Sequence, residues 1–321
     1  MKRFPRSLVG LLAVPLVLAA TPPVGAAGDT GPHLVSREVG RSGAVTISWR
    51  VQGATVTYTG GDPQAQVVSS TATPDADGQG VDVGMGVASS VDLDRPAAQL
   101  VRAFAARDPE LASSDPATAA ALRSIDAGRS GTRAVLAAAQ AAGPGPIIDS
   151  WCVYSDWDGD DVHAKTCNIR RLDQQRTSPR LTNWLSESTT GSAWSDDGEN
   201  GHGGCFNCDA IDKYNAQLVY MANAGVVQIP QWEPNSTINL EDSCRTVSTS
   251  VQGPSGFSYG SSQTVCPDSL GPYGVDVQSS GSQWKGDAAG PGKYRGIVFA
   301  LIARTYQGVQ KTVLYHHVHI T

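Results

Sequence analysis

All six cysteines of this 321-residue chain lie between Cys152 and Cys266, downstream of a segment with the pattern of an export signal. Basic residues precede an apolar stretch over residues 8–20, and small residues occupy positions 24–27. This order is typical of a secretory signal peptide. We therefore expect residues 1–27 to be removed on export, and the cysteines to form disulfides in an oxidising compartment.

The charge balance is acidic, with 24 basic and 30 acidic residues, and three of the basic ones belong to the predicted signal. An acidic surface argues against nucleic acid or an anionic membrane as a partner. The apolar run over residues 296–303 has the length of a buried strand and is too short for a membrane span. We expect a secreted, extracellular protein, and the abundance of alanine, glycine and arginine suggests a bacterial source. The oligomeric state stays open.

Composition changes near residue 145. Residues 28–142 contain no cysteine and one tryptophan, Trp49, whereas residues 151–321 contain all six cysteines and the other six tryptophans. Alternating Gly and Pro residues over 143–146 cannot continue a helix and predict a linker over 143–150. We therefore expect a cysteine-free α+β module over 28–142, which could be a pro-segment, and a disulfide-bonded β-domain over 151–321.

The first module is predicted to begin with strands and to end with helices. Apolar and polar residues alternate over residues 45–51 and again around Val56 and Tyr58, which predicts two half-buried strands. Helical spacing then appears in three stretches that begin near Asp94, Asp115 and Thr132.

The second module begins with a predicted hairpin. Cys152 and Cys167 lie symmetrically about residues 159–160, and this symmetry pairs Asp156 with His163 across the two strands. Cys152 and Cys167 would then occupy a narrow, non-hydrogen-bonded pair, where a disulfide fits.

Many glycines and short alternating runs follow, and residues 295–306 and 312–320 predict a C-terminal hairpin turned at Gln307-Gly308. The fold prediction is therefore mainly β: a small α+β module followed by a disulfide-stapled antiparallel β-sandwich or jelly-roll-like domain.

Three structural disulfides are the preferred interpretation of the cysteines, with the pairing Cys152–Cys167, Cys205–Cys208 and Cys244–Cys266. Cys205 and Cys208 form a CxxC, which can also indicate zinc or thiol redox chemistry. A loop of glycines precedes the CxxC, and no second closely spaced Cys/His pair completes a zinc site. Structural disulfides are therefore favoured.

Candidate catalytic residues are few. Residues 256–260 match the GxSxG pattern around Ser258, but the following residues are poor helix formers, and a nucleophile elbow needs a strand-to-helix turn. Asp156 and His163 would form half of an acid–base site, or a cross-strand ion pair at a hairpin tip.

Two groups of residues are weak metal candidates. Asp156, Asp158 and Asp160 have the spacing of the first calcium ligands of an EF-hand, but Asp161 and Cys167 replace its later glycine and glutamate. Four aspartates within residues 156–161 could still hold a weakly bound calcium ion, and no other cofactor is expected. His317 and His319 share a strand face and could chelate a transition metal if a third ligand, such as His163 or His202, converged. His316 faces the other way and is expected to be a core histidine.

Tryptophans of the second module are the candidate binding residues. Trp157 and Trp194, flanked by aspartates, are the predicted exposed ones, and with Asp158 they would form a surface for a glycan or another cell-surface ligand. The predicted function is therefore an extracellular binding or structural protein. One alternative is a secreted hydrolase made as a zymogen, with acid–base residues among Asp156, His163, Glu187, His202 and Glu233. Another is a toxin or antimicrobial factor, for which the sequence offers no specific feature.

Overall fold

Alternating apolar and polar residues produce the first strands of the chain. In the computed structural model, Val45, Ile47, Trp49 and Val51 are buried on one face of a strand, as predicted, and Val56 and Tyr58 are buried on the next. The structure describes residues 31–74, 80–157, 162–175, 182–195, 211–221, 226–240, 244–266, 269–286, 295–306 and 308–320.

The first half contains five strands and four helices. In chain order they are β1 (His33–Val39), β2 (Val45–Val51), β3 (Ala54–Gly60), β4 (Gln66–Pro74), β5 (Val81–Asp92), α1 (Ala97–Arg107), α2 (Pro109–Ser114), α3 (Pro116–Asp126) and α4 (Thr132–Gln140). None of these helices, in the part of the chain that the structure describes, is long and apolar enough to cross a membrane.

The second half is built from strands. They are β6 (Ile147–Trp157), β7 (Val162–Gln174), β8 (Asn183–Ser195), β9 (Ile211–Tyr220), β10 (Val226–Glu233), β11 (Ile238–Asn239), β12 (Arg245–Ser248), β13 (Val251–Gln252), β14 (Ser258–Tyr259), β15 (Ser262–Val265), β16 (Ser269–Asp276), β17 (Ser279–Lys285), β18 (Arg295–Thr305) and β19 (Val309–Ile320).

These strands form two large antiparallel sheets. The first has the order β1-β2-β3-β6-β7-β8-β18-β10, and the second has the order β11-β16-β17-β9-β19-β5-β4. Side chains bridge the sheets face to face: the hydroxyls of Tyr58 and Ser89 lie 3.0 Å apart, and those of Thr166 and Tyr214 lie 2.6 Å apart. The predicted mainly β, sandwich-like fold is confirmed. Two small ribbons, β12–β15 and β13–β14, complete the described strands.

Both halves of the chain contribute to both sheets. β3 pairs with β6, β5 pairs with β19 along its whole length, and residues from Gly31 onward belong to one compact unit. The predicted linker is also packed: Gly145 and Pro146 are buried, and the Gly145 amide donates to Asp173 Oδ1 at 3.2 Å. A Cβ atom on Gly145 would lie 2.2 Å from the Leu172 carbonyl oxygen, so this position requires glycine. Removal of residues 28–142 as a pro-segment stays a prediction.

The helices begin close to where the sequence places them. Asp115 caps α3 by accepting a hydrogen bond from the Thr118 amide at 2.8 Å, and Gly128 follows that helix with a φ of +80°. The start near Asp94 is wrong by a few residues, because α1 begins at Ala97, after Pro96. Asp94 instead accepts a hydrogen bond from the Gly308 amide at 3.1 Å, which holds the start of β19.

The predicted C-terminal hairpin is wrong. β18 pairs with β8 and β10 in the first sheet, whereas β19 pairs with β5 and β9 in the second. Each of these long strands is instead flanked on both sides by strands from elsewhere in the chain. β18 is nonetheless the buried central strand that its apolar sequence predicts. Its inner face meets the second sheet, and Ala300 and Ile302 on its outer face pack against Val251 of a ribbon.

Candidate functional site

The β6–β7 hairpin has the register that the cysteine symmetry predicts. Cys152 pairs with Cys167, Tyr154 with Lys165, and Asp156 with His163. A disulfide joins Cys152 and Cys167 across a Cα separation of 4.0 Å, as expected for a narrow antiparallel pair. The second described disulfide, Cys244–Cys266, links the ends of β12 and β15 and is also the predicted one. Cys205 and Cys208 lie outside the described residues.

Alternation along β6 decides which side chains reach solvent. Cys152, Tyr154 and Asp156 are partly exposed on the outer face, whereas Trp157 is only 5% exposed and lies between the sheets. Its ring centroid is 6.0 Å from that of His316. The predicted exposure of Trp157 is therefore wrong, because Trp157 follows Asp156 directly and successive side chains of a strand point to opposite faces.

Three aromatic side chains cluster on the outer face. This aromatic patch consists of Tyr154, His163 and Trp194, all partly exposed. The Tyr154 and His163 rings are nearly parallel, with centroids 6.0 Å apart. Trp194 pairs with His163 in the β7–β8 register, and its ring centroid lies 5.4 Å from His163 and 6.2 Å from Tyr154. The prediction placed Trp194 at a binding surface, and the sheet supplies its two aromatic neighbours.

Polar groups border the aromatic patch. The Tyr154 hydroxyl lies 2.9 Å from His163 Nδ1, and an Asp156 carboxylate oxygen lies 3.4 Å from the same nitrogen. Lys165 is exposed and pairs with Ser192 of β8 on the same outer face. The patch therefore offers aromatic surface together with a carboxylate, an imidazole, a phenol and an ammonium group. Asp158, the third predicted binding residue, lies outside the described residues.

Ser258 is far from this arrangement. It lies on β14, and β15 follows it where a nucleophile elbow would have a helix. The hydroxyl of the next residue, Tyr259, lies 2.7 Å from that of Ser188. Ser188 is six residues from Trp194 along β8, which corresponds to roughly 20 Å. The fold therefore does not bring Ser258 to Asp156 and His163.

The histidines of β19 lie on two faces. His316 is buried between the sheets, with Nε2 2.7 Å from the Ser155 hydroxyl and Nδ1 3.1 Å from that of Thr166. Burial, with a smaller contribution from neighbouring His317, lowers the pKa of His316 to about 3. It is thus a hydrogen-bonded core histidine, as predicted.

His317 and His319 face away from the core. His319 contacts Asp212 through Nδ1, and the His317 ring lies over Gly84, where a Cβ atom would come within 2.0 Å of it. Burial lowers the pKa of His317. Within the described residues, no three His, Cys, Asp or Glu side chains form a group that could hold a metal ion. Asp160 and His202 lie outside the described residues, and calcium binding stays a prediction.

A buried polar network between the sheets was missed by sequence reasoning. Arg170 Nε donates to Glu187 at 2.9 Å, Asn168 donates to the same carboxylate at 2.6 Å, and the Tyr220 hydroxyl of the second sheet also bonds to it. Arg170 and Glu187 are fully buried. Glu187, a hydrolase candidate, therefore serves as an acceptor within the core. Glu233, another such candidate, bonds to the Asn235 side chain at 3.0 Å.

Comparison with known proteins gives little further information. No family model and no curated protein matches the chain. Among solved structures, one titled "Pore forming protein" is 7% identical, with a TM-score of 0.22 over 74% of this chain and 78% of that one. Clostridium perfringens delta-toxin is also 7% identical, with a TM-score of 0.20 over 88% of this chain and 87% of the toxin. Similarities this weak support no functional argument.

Proposed function

We propose that this protein is an exported, extracellular binding protein whose aromatic patch binds carbohydrate. Export is supported by the signal-like pattern of residues 1–27 and by the disulfides Cys152–Cys167 and Cys244–Cys266. The single observation that carries the binding proposal is the clustering of Tyr154, His163 and Trp194 on the outer face of the first sheet.

The chemistry of the patch suits a sugar. Aromatic rings offer flat apolar surface at a low cost in conformational entropy, and they accept the C–H face of a pyranose. Sugar hydroxyls need both donors and acceptors, which Lys165 and Asp156 supply beside the patch: Lys165 lies opposite Tyr154, and Asp156 lies opposite His163. The charged groups also allow an acidic or an amino sugar to bind.

The scaffold keeps the patch in place before the ligand arrives. Tyr154, His163 and Trp194 project from three neighbouring strands, and the Cys152–Cys167 disulfide fixes the pairing of the first two strands. A preformed surface loses little conformational entropy on binding, which increases the affinity that a small contact area can reach.

The hydrolase alternative has one supporting observation, the 3.4 Å contact between Asp156 and His163. As a zymogen, the chain would be cut near residues 143–150. Cleavage alone would leave the cut segment paired, and release of residues 28–142 would strip β3 from β6 and β5 from β19. Mass spectrometry of the exported protein separates the two functions: a start near residue 28 supports the binding protein, and a start at 143–151 supports the zymogen.

Binding itself is tested with a glycan array that includes neutral, acidic and amino sugars, followed by titration of the best ligand. Trp194→Ala should weaken binding about tenfold or more, as expected for an aromatic anchor. Tyr306→Ala is the matched control, because Tyr306 is an aromatic residue that is 45% exposed outside the patch. Equal affinities for the Trp194→Ala variant and the unmodified protein, or no glycan bound at all, would overturn the proposal.

A further inference from the structure

A second tryptophan of β8 borders a groove at the other end of the sheet. The Trp184 groove is an open depression of about 320 Å³, lined by Trp184, Pro230, Gln231, Gln252, Gly253, Pro254 and Ile302. Trp184 and Trp194 lie ten residues apart on one strand, on the same outer face, so the groove is roughly 33 Å from the aromatic patch. Tyr259 of β14 and Ser261, which precedes β15, cover Ser188 between the two sites.

Trp184 is held rigidly at the groove. The Arg304 guanidinium lies 5.5 Å from the ring centroid, and the indole packs against the cluster of Val251, Ala300 and Ile302. The side chain is partly exposed, so indole surface remains for a ligand in the groove. A rigid aromatic surface of this kind suits a flat, weakly polar partner.

Two glutamines supply the polar groups of the groove. Gln231 Oε1 accepts a hydrogen bond from the backbone amide of Gln252 at 3.0 Å. The side-chain Nε2 of Gln252 donates to the Gly256 carbonyl at 2.8 Å. Each side chain is therefore fixed through one of its two polar atoms. The other two atoms, Gln231 Nε2 and Gln252 Oε1, have no hydrogen-bond partner among the described residues and form one donor and one acceptor. That combination matches a hydroxyl group.

The residues that line the groove carry no ionisable side chain, and the Arg304 guanidinium beside it already lies against the Trp184 ring, which favours a neutral ligand. An extended peptide would bind by adding a strand to the edge of β10, the last strand of its sheet. Pro230 lacks the amide hydrogen that such pairing needs, and the Gln231–Gln252 contact ties the β13 ribbon to this strand. A sugar needs only the ring surface and the two amide groups.

We propose that the Trp184 groove is a second binding site, specific for a neutral sugar ring. The inference does not depend on the aromatic patch, which is bordered by the charged side chains of Asp156 and Lys165, whereas the residues that line the groove carry no charge. A long neutral polysaccharide could be held at the groove alone, whatever the patch binds.

The test uses the full exported chain and three neutral probes: cellohexaose, mannohexaose and the hexamer of N-acetylglucosamine. Binding is followed by isothermal titration calorimetry for the unmodified protein and for Trp184→Ala, Trp194→Ala and Tyr306→Ala. We expect Trp184→Ala to weaken binding of at least one probe about tenfold or more, with the other two variants within about twofold of the unmodified protein. Gln252→Ala, a change at an exposed side chain, should weaken binding of the same probe and serves if Trp184→Ala does not fold.

Three outcomes would overturn the inference. The first is that none of the probes binds at millimolar concentration. The second is that binding is lost in Trp194→Ala and retained in Trp184→Ala, which would support the aromatic patch and exclude the groove. The third is that proline-rich or strand-forming peptides bind at the groove while the sugars do not. If Trp184→Ala loses binding of a neutral probe, and Trp194→Ala still binds every glycan of the array as the unmodified protein does, the groove is supported and the proposal for the patch is overturned.

Discussion

His163 lies on the outer face of the first sheet, whereas His316 is buried between the two sheets, although the two histidines contact consecutive residues of β6. Both rings have hydroxyl neighbours: His163 contacts Tyr154, and His316 contacts Ser155. Tyr154 and Ser155 are consecutive residues of β6, so their side chains point to opposite faces of the first sheet. His316 is buried between the two sheets. His163 belongs to the partly exposed aromatic patch.

Several polar side chains join the two sheets across the interior. Tyr58 meets Ser89, Thr166 meets Tyr214, and Glu187 receives hydrogen bonds from both sheets. Losing one partner of such a bridge is costly, because it leaves the other polar group buried and unpaired. We therefore expect substitutions inside to change stability, and substitutions outside to change binding.

The largest expected effect is that of Glu187→Ala, which leaves Arg170 buried without its principal partner. Removing one member of a buried ion pair typically destabilises a protein by about 3–5 kcal/mol. Denaturant unfolding should show a loss of this size, whereas Asp156→Ala, whose side chain is 32% exposed, should cost less than about 1 kcal/mol. Equal losses of unfolding free energy in the two variants would contradict the expectation that buried polar groups determine stability and outer-face groups do not.

A smaller effect is expected when the Cys152–Cys167 disulfide is replaced by two serines. The bond closes a 15-residue separation, which contributes about 3 kcal/mol in the chain-entropy model. Because the bond also fixes the strands that carry Tyr154 and His163, affinity at the aromatic patch should fall with it. The Cys244–Cys266 disulfide closes a 22-residue separation, so replacing both cysteines by serines should cost similar stability and leave the affinity of the patch unchanged. Unchanged patch affinity in the first variant would show that the sheet alone positions these rings.

Local pattern was enough to predict the hairpin and several elements. The symmetry of Cys152 and Cys167 set a register that the structure reproduces residue by residue, since a disulfide restricts which residues can face each other. Alternation identified β2 and β3, and capping residues located α3. The same register also implied that Trp157 faces away from Asp156, so its burial was predictable from the sequence.

Long-range pairing was not predictable in this way. β19 lies beside β5, with Tyr315 paired to Gly86, and no local signal connects segments so far apart in the chain. Glu187 and Tyr220 meet only because the two sheets stack, and Trp194 joins Tyr154 only through the order of β6, β7 and β8. Candidate sites that depend on sheet stacking or strand order therefore cannot be predicted without the fold, whereas sites within one hairpin can be predicted from the sequence.

The smallest expected effect concerns acid and the buried His316. Its pKa is about 3 in the folded protein, because burial penalises the charged ring, and about 6.5 when unfolded. Between these values the unfolded chain binds one more proton, so this contribution to stability is complete above about pH 6.5 and decreases as the pH falls toward 3. At pH 5 the loss amounts to about 2 kcal/mol. Denaturant unfolding at pH 7 and pH 5 should show it.

Two variants separate this titration from the hydrogen bonds of the same ring. His316→Gln removes the titrating group, so its unfolding free energy should decrease less between pH 7 and pH 5, by about 2 kcal/mol relative to the unmodified protein. Ser155→Ala removes one hydrogen bond and keeps the imidazole, so it should lower stability at both pH values and retain the acid loss. If His316→Gln lost as much stability in acid as the unmodified protein, the inside histidine would not be the neutral core group inferred above. Its contrast with His163 would then rest on exposure alone.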